Sequence, residues 1–99
     1  MIEASILGYP DNFKEYILMT DASGKGLGAV LSQKDKQGRE VVIAYASKSL
    51  NKAEQNYPIT EQECLAIRWA VEHFHKFLIE KPFTVITDHS ALKTLMMIQ

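Results

Sequence analysis

The chain has 99 residues, of which 46% are hydrophobic and 23% charged, and its formal net charge is −1. This length allows one domain with its own core, and the balance of residue types excludes a wholly disordered or collagen-like chain. No apolar run approaches the roughly 20 residues of a membrane span, and the N-terminus lacks a secretory signal. The single cysteine, Cys64, cannot form an internal disulfide, and no Cys/His cluster suggests zinc, so we expect an intracellular protein without a membrane span.

Three strands are predicted in the first half of the chain. Residues 1–13 contain Gly, Pro, Asp and Asn and are interpreted as a leader or linker before a domain over residues 14–99. The apolar runs 16–20, 27–33 and 41–46 have strand length, and the connections between them are too short for a helical crossover. They therefore predict an antiparallel meander.

A helix, a fourth strand and a closing helix are predicted after the meander. Residues 60–63 match a helix capping box, and no Gly or Pro interrupts the chain from there until Pro82. Residues 83–87 form the predicted fourth strand and residues 90–97 the closing helical segment. An antiparallel start followed by a crossover implies an α/β (α+β) fold with a mixed sheet, in the order β-β-β-α-β-α.

The long predicted helix has an apolar face and a charged face. With about 100° between successive residues, one apolar stripe can pack on a sheet. Its members are Cys64, Ile67, Ala70, Val71, Phe74 and Leu78. The charged residues of the opposite side are Glu61, Arg68, Glu72 and Lys76. Leu65 and Trp69 lie away from the apolar stripe, so either another surface covers them or Trp69 stays half-exposed.

Three acidic residues lie at unusual positions, one on the sheet-facing side of the predicted helix and two at the ends of predicted strands. Glu63 lies about 40° from Ile67, so its carboxylate points towards the sheet and needs hydrogen bonds, a cation or a metal. Asp21 and Asp88 each end a predicted strand in the pattern Thr-Asp-X-Ser. Structural alternatives remain open, since Glu63 can complete the capping box, Asp21 can initiate a turn and Asp88 can cap a helix.

The same acids would meet at one end of the sheet if the first and fourth predicted strands are neighbours. The helix that precedes the fourth strand would then bring Glu63 over Asp21 and Asp88. Three carboxylates within a few ångströms repel one another and need divalent cations. Oxygen ligands without clustered Cys or His favour Mg²⁺ or Mn²⁺ over zinc. Two such ions about 4 Å apart can carry out in-line phosphoryl displacement.

A basic stretch lies between the first aspartate and the helix. Residues 24–52 carry six basic residues against two acidic ones, and such a stretch can contact phosphates. Lysines that keep strand edges and turns soluble are the alternative explanation. The glycines at 24, 26 and 28 do not form a nucleotide-binding loop, because no Gly-Lys-Ser/Thr follows them, and a turn into a strand explains them.

Four short blocks follow one another along the chain: TDAS with GLGAVLSQ, IAYASKSL with EQNY, ECLAI, and TDHSAL. In order and spacing, from Tyr16 to Leu95, they resemble the RNase H domain of reverse transcriptases from gypsy-type LTR retrotransposons. The resemblance implies an RNase H-like fold that hydrolyses the RNA strand of RNA–DNA hybrids with two Mg²⁺ ions, or with Mn²⁺. It identifies Asp21, Glu63 and Asp88 as the catalytic and metal-binding acids.

The resemblance also implies substrate contacts and an incomplete domain. We expect Ser23, Lys25 and Ser90 to contact sugar or phosphate, with the 2′-hydroxyl and groove shape supplying recognition. Members of the family carry a fourth acid in a later element, and no residue here takes that role. The rest of the polyprotein, or another partner, would then cover Leu65 and Trp69. The alternative is a non-catalytic RNase H-like fragment that serves as a protein-interaction or nucleic-acid-binding module.

Overall fold

The fold is a mixed β-sheet with helices packed on one of its faces. The computed structural model describes residues 2–6, 14–79, 81–87 and 93–97, with side chains for residues 14–79 and 81–87. In chain order the elements are β1 (Ile2–Ile6), β2 (Tyr16–Ala22), β3 (Gly26–Lys34), β4 (Glu40–Ser49), α1 (Lys52–Gln55), α2 (Ile59–His73), α3 (His75–Leu78), β5 (Pro82–Thr87) and β6 (Lys93–Met97). In this part of the chain, no helix has the length and apolar character that crossing a membrane requires.

The order of strands in the sheet is β1-β4-β3-β2-β5-β6. Strands β2 and β5 run parallel, and every other neighbouring pair runs antiparallel. Strands β2, β3 and β4 form the predicted meander, because short turns join them. The helical connection from β4 to β5 is the crossover that allows β5 to lie parallel to β2. The predicted mixed sheet is therefore confirmed, and the first and fourth predicted strands, β2 and β5, are neighbours.

The core lies between the helices and one face of the sheet. Leu18, Leu31 and Phe83 are fully buried on this face. Ala29 and Ala46 are buried register partners on β3 and β4. Their small side chains leave room for the helix, and α2 packs on β2 and β3. On the opposite face of these strands the side chains of Met19 and Tyr45 are exposed, so α2 leaves that face open.

The helical region breaks once, and the break changes which face of α2 is buried. Phe74 leaves helical geometry, with φ −98° and ψ 20°, between α2 and α3. The predicted stripe treated the region as one continuous helix and was wrong for α2, where Cys64 is exposed and Ile67 and Val71 are half-buried. At 100° per residue, the direction of Phe74 and Leu78 lies about a third of a turn from the centre of the face that α2 buries. The buried residues of α2 are Gln62, Ala66, Trp69 and Ala70.

Trp69 belongs to the core rather than to an uncovered surface. Its side chain is 8% exposed, and its ring centroid lies 5.8 Å from that of His73. The prediction that a further segment covers Trp69 was therefore wrong, because the rotation of α2 turns this residue towards the sheet. Leu65 is half-buried and packs against the core.

The start of α2 differs from the predicted capping box. The helix begins at Ile59, directly after Pro58, and no side chain caps it. Thr60 is already helical and cannot act as the N-cap, so the capping alternative for Glu63 does not apply. A capping box forms instead at α1, between Asn51 and Glu54.

Segments near both ends of the chain add strands to the sheet. β1 lies within the predicted leader and pairs with β4. The division into a leader and a domain stays a prediction. The predicted closing helix over residues 90–97 was wrong for residues 93–97, since these form β6 and pair antiparallel with β5, while residues 90–92 lie outside the described residues. An unpaired strand edge leaves backbone donors and acceptors unsatisfied, and pairing with β6 removes that edge from β5.

Candidate functional site

Asp21 lies at the end of β2, on the face of the sheet that α2 leaves open. It follows Thr20, which is 5% exposed and points towards the core, whereas Asp21 itself is exposed. Because side chains alternate along a strand, Asp21 shares the open face with Ile17 and Met19. Its carboxylate is therefore accessible to solvent and to a ligand.

A shallow groove of about 360 Å³ runs beside Asp21. Strand pairing aligns Asp21 with Gly28 of β3, and Gly28 with Ser47 of β4. Ser23 and Ser49 also line the groove. Its side chains therefore offer mainly hydroxyl groups, with the carboxylate of Asp21 on one wall.

The predicted contact residues Ser23 and Lys25 lie in the hairpin between β2 and β3. The Oγ of Ser23 accepts the N–H of Gly26 at 3.1 Å and donates to its carbonyl oxygen at 3.2 Å, so this hydroxyl shapes the turn. Lys25 is exposed, and its carbonyl oxygen accepts the N–H of Leu50 at 2.9 Å. Ser23 thus lies on the groove wall and Lys25 in the adjoining loop, and their contacts with a substrate stay predictions.

Lys48 lines the groove, although sequence reasoning did not include it among the site residues. Its Nζ lies 3.8 Å from Oε2 of Glu54, and these side chains are 29% and 15% exposed. Glu54 is held in turn by the capping box, in which its Oε1 accepts the N–H of Asn51 at 3.0 Å. In the sequence, only the basic stretch over residues 24–52 pointed to Lys48, and composition does not say which lysine of that stretch lies beside the groove.

Glu63 approaches the same end of the sheet from the helix side. It is half-buried near the start of α2, and its Oε1 is shielded from solvent. The far end of the helical region lies at the start of β2, where the ring centroids of Phe77 and Tyr16 are 6.2 Å apart. Because α2 packs along β2, its first turns lie towards the end of β2 that carries Asp21.

Asp88 and Ser90 lie outside the described residues. In the parallel pairing of β2 with β5, Thr87 aligns with Thr20. Each of these threonines directly precedes a predicted catalytic aspartate in the sequence. The register therefore agrees with the expectation that the two strands direct their acids to one end of the sheet.

The described residues supply two of the three predicted metal ligands. Among them, no group of three or more His, Cys, Asp or Glu side chains comes together. Asp21 and Glu63 offer carboxylate oxygens, the ligand type that Mg²⁺ and Mn²⁺ prefer. The chemistry of these donors therefore fits the expected ions.

Sequence comparison finds that the chain is similar to a domain family and to parts of retrotransposon polyproteins. A sequence profile of the RNase H-like domain found in reverse transcriptase matches residues 11–99. The chain is 46% identical over 92 residues to the retrovirus-related Pol polyprotein from transposon 412 of Drosophila melanogaster, covering 93% of this chain and 7% of that protein. It is 44% identical over 91 residues to the Pol polyprotein from transposon gypsy of the same organism, covering 91% and 8%. The chain thus spans less than a tenth of the length of these relatives.

Solved structures share the fold. The foamy viral protease-reverse transcriptase in complex with dsDNA matches with a TM-score of 0.72 at 21% identity, over 82% of this chain and 16% of that chain. The foamy viral protease-reverse transcriptase in complex with an RNA/DNA hybrid matches with a TM-score of 0.61 at 22% identity, over 78% and 10%. At this identity the likeness concerns the fold alone. Profile, relatives and fold together show that the chain belongs to the family of RNase H-like domains found in reverse transcriptases.

Proposed function

We propose that this chain is the RNase H domain of a retrotransposon reverse transcriptase and hydrolyses, as an endonuclease, the RNA strand of RNA–DNA hybrids. The parallel register of β2 and β5 carries the proposal, because it aligns the residues that precede Asp21 and Asp88. Glu63 approaches this same end of the sheet from α2. An open polar groove beside Asp21 leaves room for a nucleic-acid strand.

Divalent ions, Mg²⁺ or Mn²⁺, would be held by Asp21, Glu63 and, from the sequence, Asp88. Bound ions would supply positive charge beside the phosphate that is cut. Without a counter-charge, the exposed carboxylate of Asp21 would repel a phosphodiester in the groove. The serine hydroxyls of the groove can donate hydrogen bonds to phosphate and ribose oxygens. Recognition of this kind reads shape and the 2′-hydroxyl rather than the bases.

Cleavage of a labelled RNA–DNA hybrid by the purified chain tests the proposal. Wild type, Asp21→Asn and Glu63→Gln are compared in Mg²⁺ and in Mn²⁺, and thermal unfolding verifies that each protein is folded. We expect wild type to cut the RNA strand and each variant to lose about 100-fold or more of the rate. Glu61→Gln is the matched control, because Glu61 is an exposed acid of the same helix. It should cleave like wild type.

Two results would refute parts of this proposal. A folded wild-type chain that leaves the hybrid intact in both metals would refute independent catalysis. Full cleavage by Asp21→Asn would refute the role of that carboxylate.

A non-catalytic interaction module is the second candidate, and an apolar strip on α2 favours it. Ile67 and Val71 are half-buried, and with Cys64 they line an open depression of about 400 Å³. Apolar surface of this kind can mark a contact with another protein or with another part of the polyprotein. This role predicts a folded chain that is inert towards the hybrid, which the same assay would reveal.

A further inference from the structure

We propose that the groove beside Asp21 seats one sugar–phosphate backbone of a nucleic acid, and that Gly28 is the residue whose missing side chain admits it. The inference rests on the proposed function, since it names the part of the nucleic acid that this groove takes. Gly28 would then determine what the groove accepts, although it carries no side-chain functional group.

Gly28 lies in the middle of a row of three residues across the open face of the sheet. It pairs with Asp21 on one side and with Ser47 on the other. Because neighbouring strands lie about 4.8 Å apart, the backbones of Asp21 and Ser47 are separated by about 10 Å. Only glycine backbone lies between them. Among the described residues the gap is open, since a Cβ atom built on Gly28 meets none of their atoms within 4 Å.

The described part of the fold gives no packing reason for glycine at this position. The φ of Gly28 lies outside the left-handed region. A glycine inside a strand weakens it, because the unfolded chain has more freedom to lose and no side chain packs. Gly26 differs, since a Cβ there would lie 3.1 Å from the carbonyl oxygen of Lys48, and close packing accounts for it. A strand glycine without such a neighbour points to a ligand that uses the space.

The groups around the gap suit phosphate and ribose better than a base. Ser47 and Ser49 line the groove and alternate with Lys48, so their hydroxyl groups lie on the face of the sheet that Gly28 shares. Such groups commonly contact phosphate and sugar oxygens. Sites that hold unpaired bases use aromatic platforms, and none of the described residues lining this groove is aromatic. The chemistry therefore favours the backbone of a strand over its bases.

Binding of a fluorescein-labelled RNA–DNA hybrid, measured by anisotropy without divalent ions, tests the inference separately from cleavage. Every protein carries Asp21→Asn, which removes the repulsion between this carboxylate and a phosphate. Gly28→Val and Gly28→Ala are compared in that background. Gly24→Ala is the matched control, because a Cβ on Gly24 also meets nothing within 4 Å but does not line the groove.

We expect Gly28→Val to weaken hybrid binding by about tenfold or more, Gly28→Ala by less, and Gly24→Ala not at all. Gly28→Val should at the same time raise the Tm, because a β-branched residue favours a strand and restricts the unfolded chain. A structural defect would lower both binding and stability. Weaker binding with higher stability is therefore the signature of a blocked groove.

Three outcomes would overturn the inference. The first is unchanged binding by a folded Gly28→Val protein. The second is a parent protein that does not bind the hybrid measurably. The third is unfolding of both Gly28 variants, which would show that the gap is not open. Absence of cleavage in wild type, together with the expected effect of Gly28→Val on binding, would refute the proposed catalysis and leave this inference intact.

Discussion

Replacing Gln62 by leucine tests how the first turn of α2 is held over the sheet. Gln62 is 3% exposed, and its Nε2 donates to the carbonyl oxygens of Glu54 at 3.2 Å and Gln55 at 3.4 Å. These bonds join the end of α1 to the turn of α2 that carries Glu63. Leucine has a similar volume but no donor, so Gln62→Leu removes both bonds while keeping most of the packing.

The expected loss in the free energy of unfolding is about 1–2 kcal/mol, since each hydrogen bond contributes about 0.5–1.5 kcal/mol. The carbonyl oxygen of Glu54 still accepts the N–H of Tyr57 at 3.1 Å, so it does not become an unsatisfied buried acceptor. For a domain of this size, 1 kcal/mol corresponds to roughly 4–8 °C in Tm. We therefore expect the Tm of Gln62→Leu to fall by roughly 5–15 °C.

Denaturant and thermal unfolding of wild type, Gln62→Leu and Glu61→Gln measure this loss. Glu61 is exposed and precedes Gln62 on the same helix, so its substitution should change stability by less than about 0.5 kcal/mol. A Gln62→Leu protein as stable as wild type would refute the reasoning. It would show that apolar burial, rather than the amide, holds the start of α2.

Further predictions concern the β3–β4 turn, the core, α1 and the helix surface. The N–H of Arg39, with help from the N–H of Gln37 and the side chain of Arg39, lowers the pKa of Asp35 below its ordinary value of 3.8. The ionised carboxylate therefore stabilises the fold fully above that value, and the stabilisation is lost as the pH falls through the lower pKa of the folded state. NMR titration of Asp35 measures the direction of the pKa change. In Asp35→Asn, the stability should no longer depend on acid in this way. Leu31→Ala removes a side chain that is 0% exposed and should reduce the free energy of unfolding by about 2–5 kcal/mol in denaturant. Asn51→Ala breaks the capping box of α1 and should cost about 1 kcal/mol by the same measurement. Arg68→Ala should change stability by less than about 0.5 kcal/mol, because its pair with Glu72 is exposed, and a larger loss would contradict that interpretation.

Local patterns were sufficient to predict the central part of the architecture, from β2 to β5. Apolar runs of strand length, short polar turns and one helical segment before the last predicted strand specify a meander followed by a crossover. A helical crossover can return the chain to the sheet parallel to an existing strand, which is why a mixed sheet was expected, whereas the position of β5 beside β2 entered only as a condition. Turn and strand preferences depend on neighbours in sequence, so a single sequence can reveal them.

The predictions failed where distant contacts decide the outcome. The buried face of α2 depends on the break at Phe74, and helical periodicity alone does not show that break. Residues 93–97 follow a helical pattern, yet they pair with β5, because a neighbouring strand satisfies an edge that a helix would leave open.

Some features of the candidate site follow from local sequence, and others depend on contacts between distant segments. That Asp21 ends an apolar strand and that Glu63 lies early in a helix can be read from the chain alone, because both follow from local periodicity. That Asp21 faces a groove with Ser47 and Lys48 depends on folding, because strand pairing joins segments that are distant in sequence. Gly26 and Gly28 are equivalent in the sequence pattern. Folding makes one of them a close-packing residue and leaves the other beside open space, since only their cross-strand neighbours differ.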